Sequence, residues 1–188
     1  MSSLVYLVAT SLDGFIAAPD GDFTPLVVGD EHLAGLAADY PETFPAPMRE
    51  ALGIGAPNRA FGTVLMGART YQVPGAVPSP YPHLRQVVFS SRALDVPDEV
   101  EVVDGDAVAH VRRLKADADG GDLWLCGGAH LAGQLCDEID RLVLKISPVV
   151  LGSGLPLFAG VDPRPRGFRP RGQVDYDNGV RVVTYDRV

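Results

Sequence analysis

The sequence predicts an α/β fold: a mixed, mostly parallel central sheet with helices on both faces and an antiparallel hairpin at the C-terminal edge. Three observations carry this. Short, nearly continuous apolar runs at residues 4–10, 63–67 and 123–126 have the pattern of strands covered on both faces. Helical patterns alternate with them, most clearly after Asp106, where Val108, Val111 and Leu114 fall on one side and Arg112, Arg113 and Lys115 on the other. Near the end, two strand-like runs, 173–176 and 180–185, flank Asp177-Asn178-Gly179, a hairpin signal.

Residues 4–10 read as a central strand that runs into Ser11-Leu12-Asp13-Gly14-Phe15-Ile16-Ala17 and a polar turn at Pro19-Asp20-Gly21-Asp22. Residues 25–60 are the least regular. Asp30 is placed to cap a short helix over 31–39, and residues 48–52 suit another. Pro41, Pro45 and Pro47 break the chain between them, as in a lid or pocket wall. The second strand, 63–67, leads into Ala68-Arg69-Thr70-Tyr71, and four prolines from Pro74 to Pro82 make a loop. Residues 86–92 read as a third strand with the polar end Ser90-Ser91-Arg92, and 100–103 as a fourth. Asp106 caps the helix that Gly120-Gly121 ends. Leu123-Trp124-Leu125-Cys126, the fifth strand, runs through Gly127-Gly128 into a helix with Leu131 and Leu135 at helical spacing. Residues 141–146 form a sixth strand, continuing into Ser147-Pro148-Val149-Val150-Leu151-Gly152-Ser153-Gly154.

With 188 residues, 46% hydrophobic and 21% charged, the chain suits one domain spanning 1–188. A net charge of −8 and a pI near 4.8 disfavour a general binder of nucleic acid or anionic membrane. No run approaches the roughly 20 apolar residues of a membrane span. The start reads directly into a strand without the basic region of a signal peptide. Cys126 and Cys136 are expected as free thiols, and no Cys/His cluster has metal-ligand spacing. A cytoplasmic protein without a metal is the expectation.

Ligands of open α/β sheets sit at the carboxyl ends of the strands. Three such ends carry phosphate-holding groups: Gly67-Ala68-Arg69-Thr70, Ser90-Ser91-Arg92 and Gly127-Gly128-Ala129. A glycine turn that opens a helix aims free N–H groups and a positive dipole end at an anion. An isolated Gly-Gly is equally a tight bend; three ends of this kind on one edge favour an extended ligand such as a dinucleotide. The common G-x-G-x-x-G fingerprint is absent.

The segments Ser11 to Ala17, Val64 to Tyr71, Ser90 to Arg92, Leu123 to Ala129 and Pro148 to Phe158 occur in an order that resembles the dihydrofolate reductase-like superfamily. They are most similar to the C-terminal reductase domain of the bifunctional riboflavin-biosynthesis deaminase/reductase and its stand-alone bacterial relatives. The resemblance spans nearly the whole chain and implies the three-layer fold of that superfamily.

It also implies an NADPH-dependent reductase, similar to the 5-amino-6-(5-phosphoribosylamino)uracil reductase of riboflavin biosynthesis, that passes hydride to a pyrimidine-, pterin- or flavin-type small molecule. By that resemblance Ala9 and Ile16 line the nicotinamide. Gly67, Ala68, Arg69 and Thr70, with Ser90, Ser91 and Arg92, hold the adenosine ribose and its 2′-phosphate. Leu125, Gly127, Gly128, Ala129 and His130 cradle the pyrophosphate. A homodimer is implied as well. The family usually has an arginine directly after the second strand, whereas Ala68 stands there and Arg69 follows; Arg69 or Arg92 substitutes, or NADH is used instead. Folate reductases carry a Trp and a carboxylate after the first loop. Phe23-Thr24-Pro25-Leu26 has no Trp and only Asp30 or Glu31 approximates the carboxylate, which disfavours dihydrofolate.

Asp13 and Asp30 are the carboxylates assigned to catalysis. Asp13 closes onto cofactor or substrate, or simply makes the turn that Asp-Gly favours; Asp30 serves the substrate or caps its helix. His32 is a further proton-donor candidate. His130 also reads as a helix-surface residue, Tyr71 and Phe158 as core, and Cys126 as buried and unreactive. The same resemblance implies no obvious protein acid at the reacting carbon, so that catalysis is expected to rest on positioning. The rival readings are a nucleotide-binding protein on the same fold without reductase activity, and a reductase that prefers NADH.

Overall fold

The computed structural model describes residues 1–73, 76–117 and 121–188. Eight strands form one sheet: β1 (Leu4–Thr10), β3 (Phe61–Gly67), β4 (Arg85–Phe89), β5 (Val100–Val103), β6 (Asp122–Gly127), β7 (Arg141–Ile146), β9 (Phe168–Asp175) and β10 (Arg181–Arg187). Their spatial order is β5-β4-β3-β6-β1-β7-β10-β9. The strands from β5 to β7 are mutually parallel. β10 runs antiparallel to β7, and β9 to β10. Two short strands, β2 (Phe15–Ala17) and β8 (Leu155–Pro156), pair separately. The helices are α1 (Glu31–Asp39), α2 (Ala46–Ala51), α3 (Ala68–Tyr71), α4 (Ala107–Ala116) and α5 (Ala129–Gln134). The expected mixed, mostly parallel sheet with an antiparallel C-terminal edge is the one observed.

The period of two along each strand divides the core into two layers. Leu4, Tyr6 and Val8 of β1 join Leu123 and Leu125 of β6 against α4 and α5, through Val111, Leu114, Leu131 and Leu135. Val5 and Leu7 join Trp124, Val64 and Val143 on the other face, under Leu33 and Leu36 of α1, Met48 of α2 and Tyr71 of α3. Trp124 stacks near Phe61 and meets Tyr81 edge-on at 5.0 Å, and its Nε1 donates to Leu7 O at 3.0 Å. Glu42 is fully buried; its carboxylate accepts the N–H groups of Arg59, Ala60 and Phe61 at 3.2, 2.7 and 2.7 Å, holding the start of β3.

Several local expectations are corrected. β4, the strand expected over 86–92, ends at Phe89, before Ser90-Ser91-Arg92, because the Ser90 hydroxyl folds back to donate to Arg92 O and accept from Arg92 N. Asp106 does cap α4, accepting from Ala109 N at 3.0 Å, but that helix stops at Ala116. Gly120, expected to end it, and Pro74 of the proline loop lie outside the described residues. Asp30 stands at the N-cap of α1, yet its carboxylate makes no capping bond; only its carbonyl is used, by Leu33 N. β9 starts at Phe168 and so carries Pro170 and Gly172, which an edge strand tolerates because one side of its ladder is open.

Candidate active site

Every strand from β5 to β7 points its carboxyl end at the same edge of the sheet, so the loops singled out by sequence emerge side by side in the order β4, β3, β6, β1. Two of them meet directly. α3 follows β3 at Gly67, and Thr70 on that short helix lies against the Gly127–Gly128 turn after β6. A Cβ on Gly128 would come within 3.2 Å of Thr70 Oγ1, one on Gly127 within 3.4 Å, and one on Gly67 within 3.5 Å of Gly128 N. Gly127 has φ +150, which a side chain rarely adopts. The N–H groups of Gly128, Ala129 and His130 find no acceptor among the described residues. This cradle of free donors and bare backbone fits a pyrophosphate. Leu125 contributes only backbone, since its side chain is buried in the α4–α5 layer, and the His130 side chain is exposed.

Arg69 and Arg92 are exposed. Among the described residues neither makes an ion pair or a side-chain hydrogen bond, whereas Arg85, Arg112, Arg141, Arg164, Arg166, Arg171 and Arg181 are all paired with carboxylates. Two unengaged guanidiniums therefore stand at the ends of adjacent strands. Ser91 is exposed beside Arg92, and Ala68 is partly covered beside Arg69.

At the end of β1, Ala9 opens onto the α1 face while Ile16 in β2 packs against the α4–α5 cluster, so the two flank that end from opposite faces. Asp13 lies in the intervening loop. Its Oδ1 accepts the Ser11 hydroxyl at 2.6 Å and Leu151 N at 3.1 Å, and its Oδ2 accepts Gly152 N at 2.7 Å. These donors, the Ser11 hydroxyl foremost, hold the carboxyl below its usual range. Asp30 is exposed at the head of α1 and shares no hydrogen bond with Asp13.

One strip stands out on the α1 face. Around it the sheet is sealed: Val5, Val64, Met66, Trp124 and Val143 are all buried. Leu7 and Ala9 of β1, Cys126 of β6 and Lys145 of β7 remain partly open, although these are central strands. We take this partly uncovered strip, over the carboxyl halves of β6, β1 and β7, as the candidate substrate cleft. Burial pushes the Cys126 thiol up to about 12, so it is no nucleophile. Sequence reasoning missed Lys145, although its spacing of two from Val143 puts it on that buried face.

The sequence matches the RibD C-terminal domain over residues 2–182. The chain belongs to that family. This RibD C-terminal domain is 31% identical over 159 residues to the uncharacterised protein YwjB of Bacillus subtilis (strain 168), covering 82% of this chain and 81% of YwjB. YyaP of the same organism, also uncharacterised, is 34% identical over 82 residues, 43% of each chain. The fold is shared with a putative riboflavin biosynthesis protein from Shewanella sp. PV-4 (TM-score 0.66, 24% identity, 100% of this chain and 99% of that one). It is shared also with the diaminohydroxyphosphoribosylaminopyrimidine deaminase/5-amino-6-(5-phosphoribosylamino)uracil reductase of Thermotoga maritima (TM-score 0.68, 18% identity), where the RibD C-terminal domain described here spans 57% of the larger protein. A pyrimidine reductase-like protein from Corynebacterium diphtheriae aligns over 100% of this chain and 92% of its own, with a TM-score of 0.65 and 15% identity.

Proposed function

We propose that this protein is an NADPH-dependent reductase that transfers hydride to a pyrimidine-, pterin- or flavin-related heterocycle, a reaction similar to that of 5-amino-6-(5-phosphoribosylamino)uracil reductase. The observation that carries it is the seating of Thr70 against the Gly127–Gly128 turn, between the arginine-bearing ends of β3 and β4 and the open end of β1. Four adjacent strand ends cover about 14 Å at the usual strand spacing. That suits an extended dinucleotide with its pyrophosphate at the centre. Gly67, Thr70, Gly127, Gly128 and Ala129 would hold the pyrophosphate, and Arg69 and Arg92 the 2′-phosphate, with Ser90, Ser91 and Ala68 around the ribose. Ala9 and Ile16 would border the nicotinamide, whose C4 supplies the hydride. The chain's own part is to orient that ring over the cleft beside Ala9 and to keep the flanking loops docked through Asp13. Asp30, at the rim, would reach the substrate rather than the cofactor. A homodimer in the cytoplasm belongs to the same reading and rests on family resemblance.

The test is thermal protection by NADPH and NADH. At about 100 times its Kd a ligand adds about 2.7 kcal/mol, a Tm rise of roughly 5–10 °C for a chain of this size. NADPH should protect better than NADH, and Arg69→Ala and Arg92→Ala should each erode that advantage. Protection by neither cofactor sinks the reductase reading. Equal protection by both removes the 2′-phosphate role, and stronger protection by NADH supports the NADH-preferring alternative that Ala68 suggests.

A further inference from the structure

The cleft beside Ala9 holds a charge with nothing to balance it. Of the two lysines in the chain, Lys115 is paired with Asp140 at 2.6 Å and donates to Glu138 O at 2.7 Å. Lys145 makes no ion pair and no hydrogen bond among the described residues. Its Cα stands opposite Ala9 on β1 and Val182 on β10, in the interior of the sheet, and its side chain lies on the face covered by α1. Burial lowers its pKa, as it must for an ammonium taken out of water without a partner. An unpaired, half-buried charge costs stability and persists where something else makes use of it.

A second unpartnered donor comes from the helix above. His32 of α1 is 1% exposed, and its Nε2 has no partner. Asn178 settles which nitrogen carries the proton. The Asn178 side-chain amide is oriented by its Oδ1 accepting Val180 N at 3.1 Å and its Nδ2 donating to Val28 O at 2.7 Å. Nδ2 also donates to Glu31 Oε2 at 3.0 Å and faces His32 Nδ1 at 3.1 Å. An amide nitrogen cannot accept, so a hydrogen on Nδ1 would clash with it, which places the imidazole hydrogen on Nε2. Burial keeps this imidazole neutral, and the nearby Lys145 charge pushes the same way against Glu31 and Asp30.

We infer that Lys145 and His32 form an anion-accepting subsite of the substrate cleft, which takes a singly charged oxygen group, a carboxylate or the deprotonated oxygen of a ring amide, on the heterocycle to be reduced. One ammonium and one neutral N–H match one negative charge. A phosphate dianion would need further cations, whereas Arg141 stands at the opposite end of β7, across from Val5, and Arg181 has the register of the other face of the sheet. The inference rests on the reading of this cleft as the reductase's substrate side, and it narrows that substrate to one carrying an acidic oxygen.

The probes are benzoate and its neutral isostere benzamide, each titrated against the whole protein while thermal unfolding is followed, with NADPH protection measured on the same preparation. Benzoate should protect saturably and benzamide should not. Lys145→Met, which keeps the apolar stem, should weaken benzoate about tenfold or more, as expected for loss of a charge-assisted hydrogen bond. His32→Gln should weaken it less. Without ligand, Lys145→Met should melt at or above the parent, because it removes an uncompensated charge. Three outcomes overturn the subsite: equal response to the two probes, benzoate preference that survives Lys145→Met, or a Lys145→Met protein that melts well below the parent. A protein protected by NADPH but indifferent between the probes would lose this inference and keep the reductase reading; absence of NADPH protection would strike that reading instead.

Discussion

Asp13 Oδ2 accepts the backbone N–H of Gly152 at 2.7 Å, joining loops 139 residues apart in sequence. With Leu151 N on its other oxygen, and with Leu12 N donating to Val149 O at 2.8 Å, the loop after β1 and the loop after β7 are one docked unit beside the cleft. Asp13, read from sequence either as closing onto cofactor or substrate or as making its own turn, here accepts backbone N–H groups of the loop after β7.

Asp13→Asn exchanges one acceptor oxygen for a donor facing backbone N–H groups. Amide hydrogen exchange at Leu151 and Gly152 should quicken while exchange in β7 is unchanged. The carboxyl of Asp13 is held below its ordinary value, so its contribution to docking is complete above about pH 4 and is lost only as pH falls through the lower folded value. In the parent protein, exchange at those two amides should stay slow at pH 5; equal exchange in parent and variant would refute the clamp.

Glu42→Ala removes a fully buried carboxylate and leaves the N–H groups of Arg59, Ala60 and Phe61 without it, the last buried and the other two partly so. At about 1–3 kcal/mol for each orphaned group, the loss should be about 3 kcal/mol or more in urea unfolding. Glu42→Gln should cost less, since one acceptor oxygen survives. A loss under about 1 kcal/mol for Glu42→Ala would mean that water replaces the carboxylate.

Burial lowers the pKa of His32, His83 and His110 alike. The sign follows directly: between the folded value and the ordinary value of about 6.5, the unfolded chain binds more protons. Stability should thus fall as pH drops below about 6.5, by at most about 1.4 kcal/mol per pH unit for each histidine. Chemical denaturation from pH 7.5 to 5 checks this, and His32→Gln should flatten the slope.

Two glycines should fail in different ways. A Cβ at Gly133 of α5 would sit 1.8 Å from Ala159 O, so Gly133→Ala forces backbone apart and should cost about 3 kcal/mol. At Gly128 the nearest neighbour is Thr70 Oγ1 at 3.2 Å, and φ is −104. Gly128→Ala should fold, yet lose NADPH protection about tenfold by filling the cradle. Unfolding curves separate the first effect, and NADPH titration the second.

The sheet was readable because its evidence was repeated. Apolar runs at β1, β3 and β6, an Asn-Gly turn before β10 and a true N-cap at Asp106 each spoke to the same architecture. β2 and β8, three and two residues long, are too short to show a period. Glu42 sits in a proline-broken stretch where no pattern marks a residue as buried. Lys145 is the instructive omission. A lysine beside apolar residues looks like the wet face of an edge strand, but β7 lies between β1 and β10, so its alternate positions face a helix layer. Strand order, a non-local property, decides that. The same holds for Thr70 and Gly128, which only the adjacency of β3 and β6 brings together.

Trp124 is the only tryptophan in the chain. It donates to the carbonyl of Leu7, two residues before Ala9, and its ring lies in the same layer as the open strip. The protein therefore contains a single tryptophan emitter, hydrogen-bonded to the strand that runs beneath the open strip. Reduced nicotinamides absorb where tryptophan emits, so occupancy beside Ala9 should register as quenching with energy transfer. Ligand entry can thus be followed optically in the native chain, without a label.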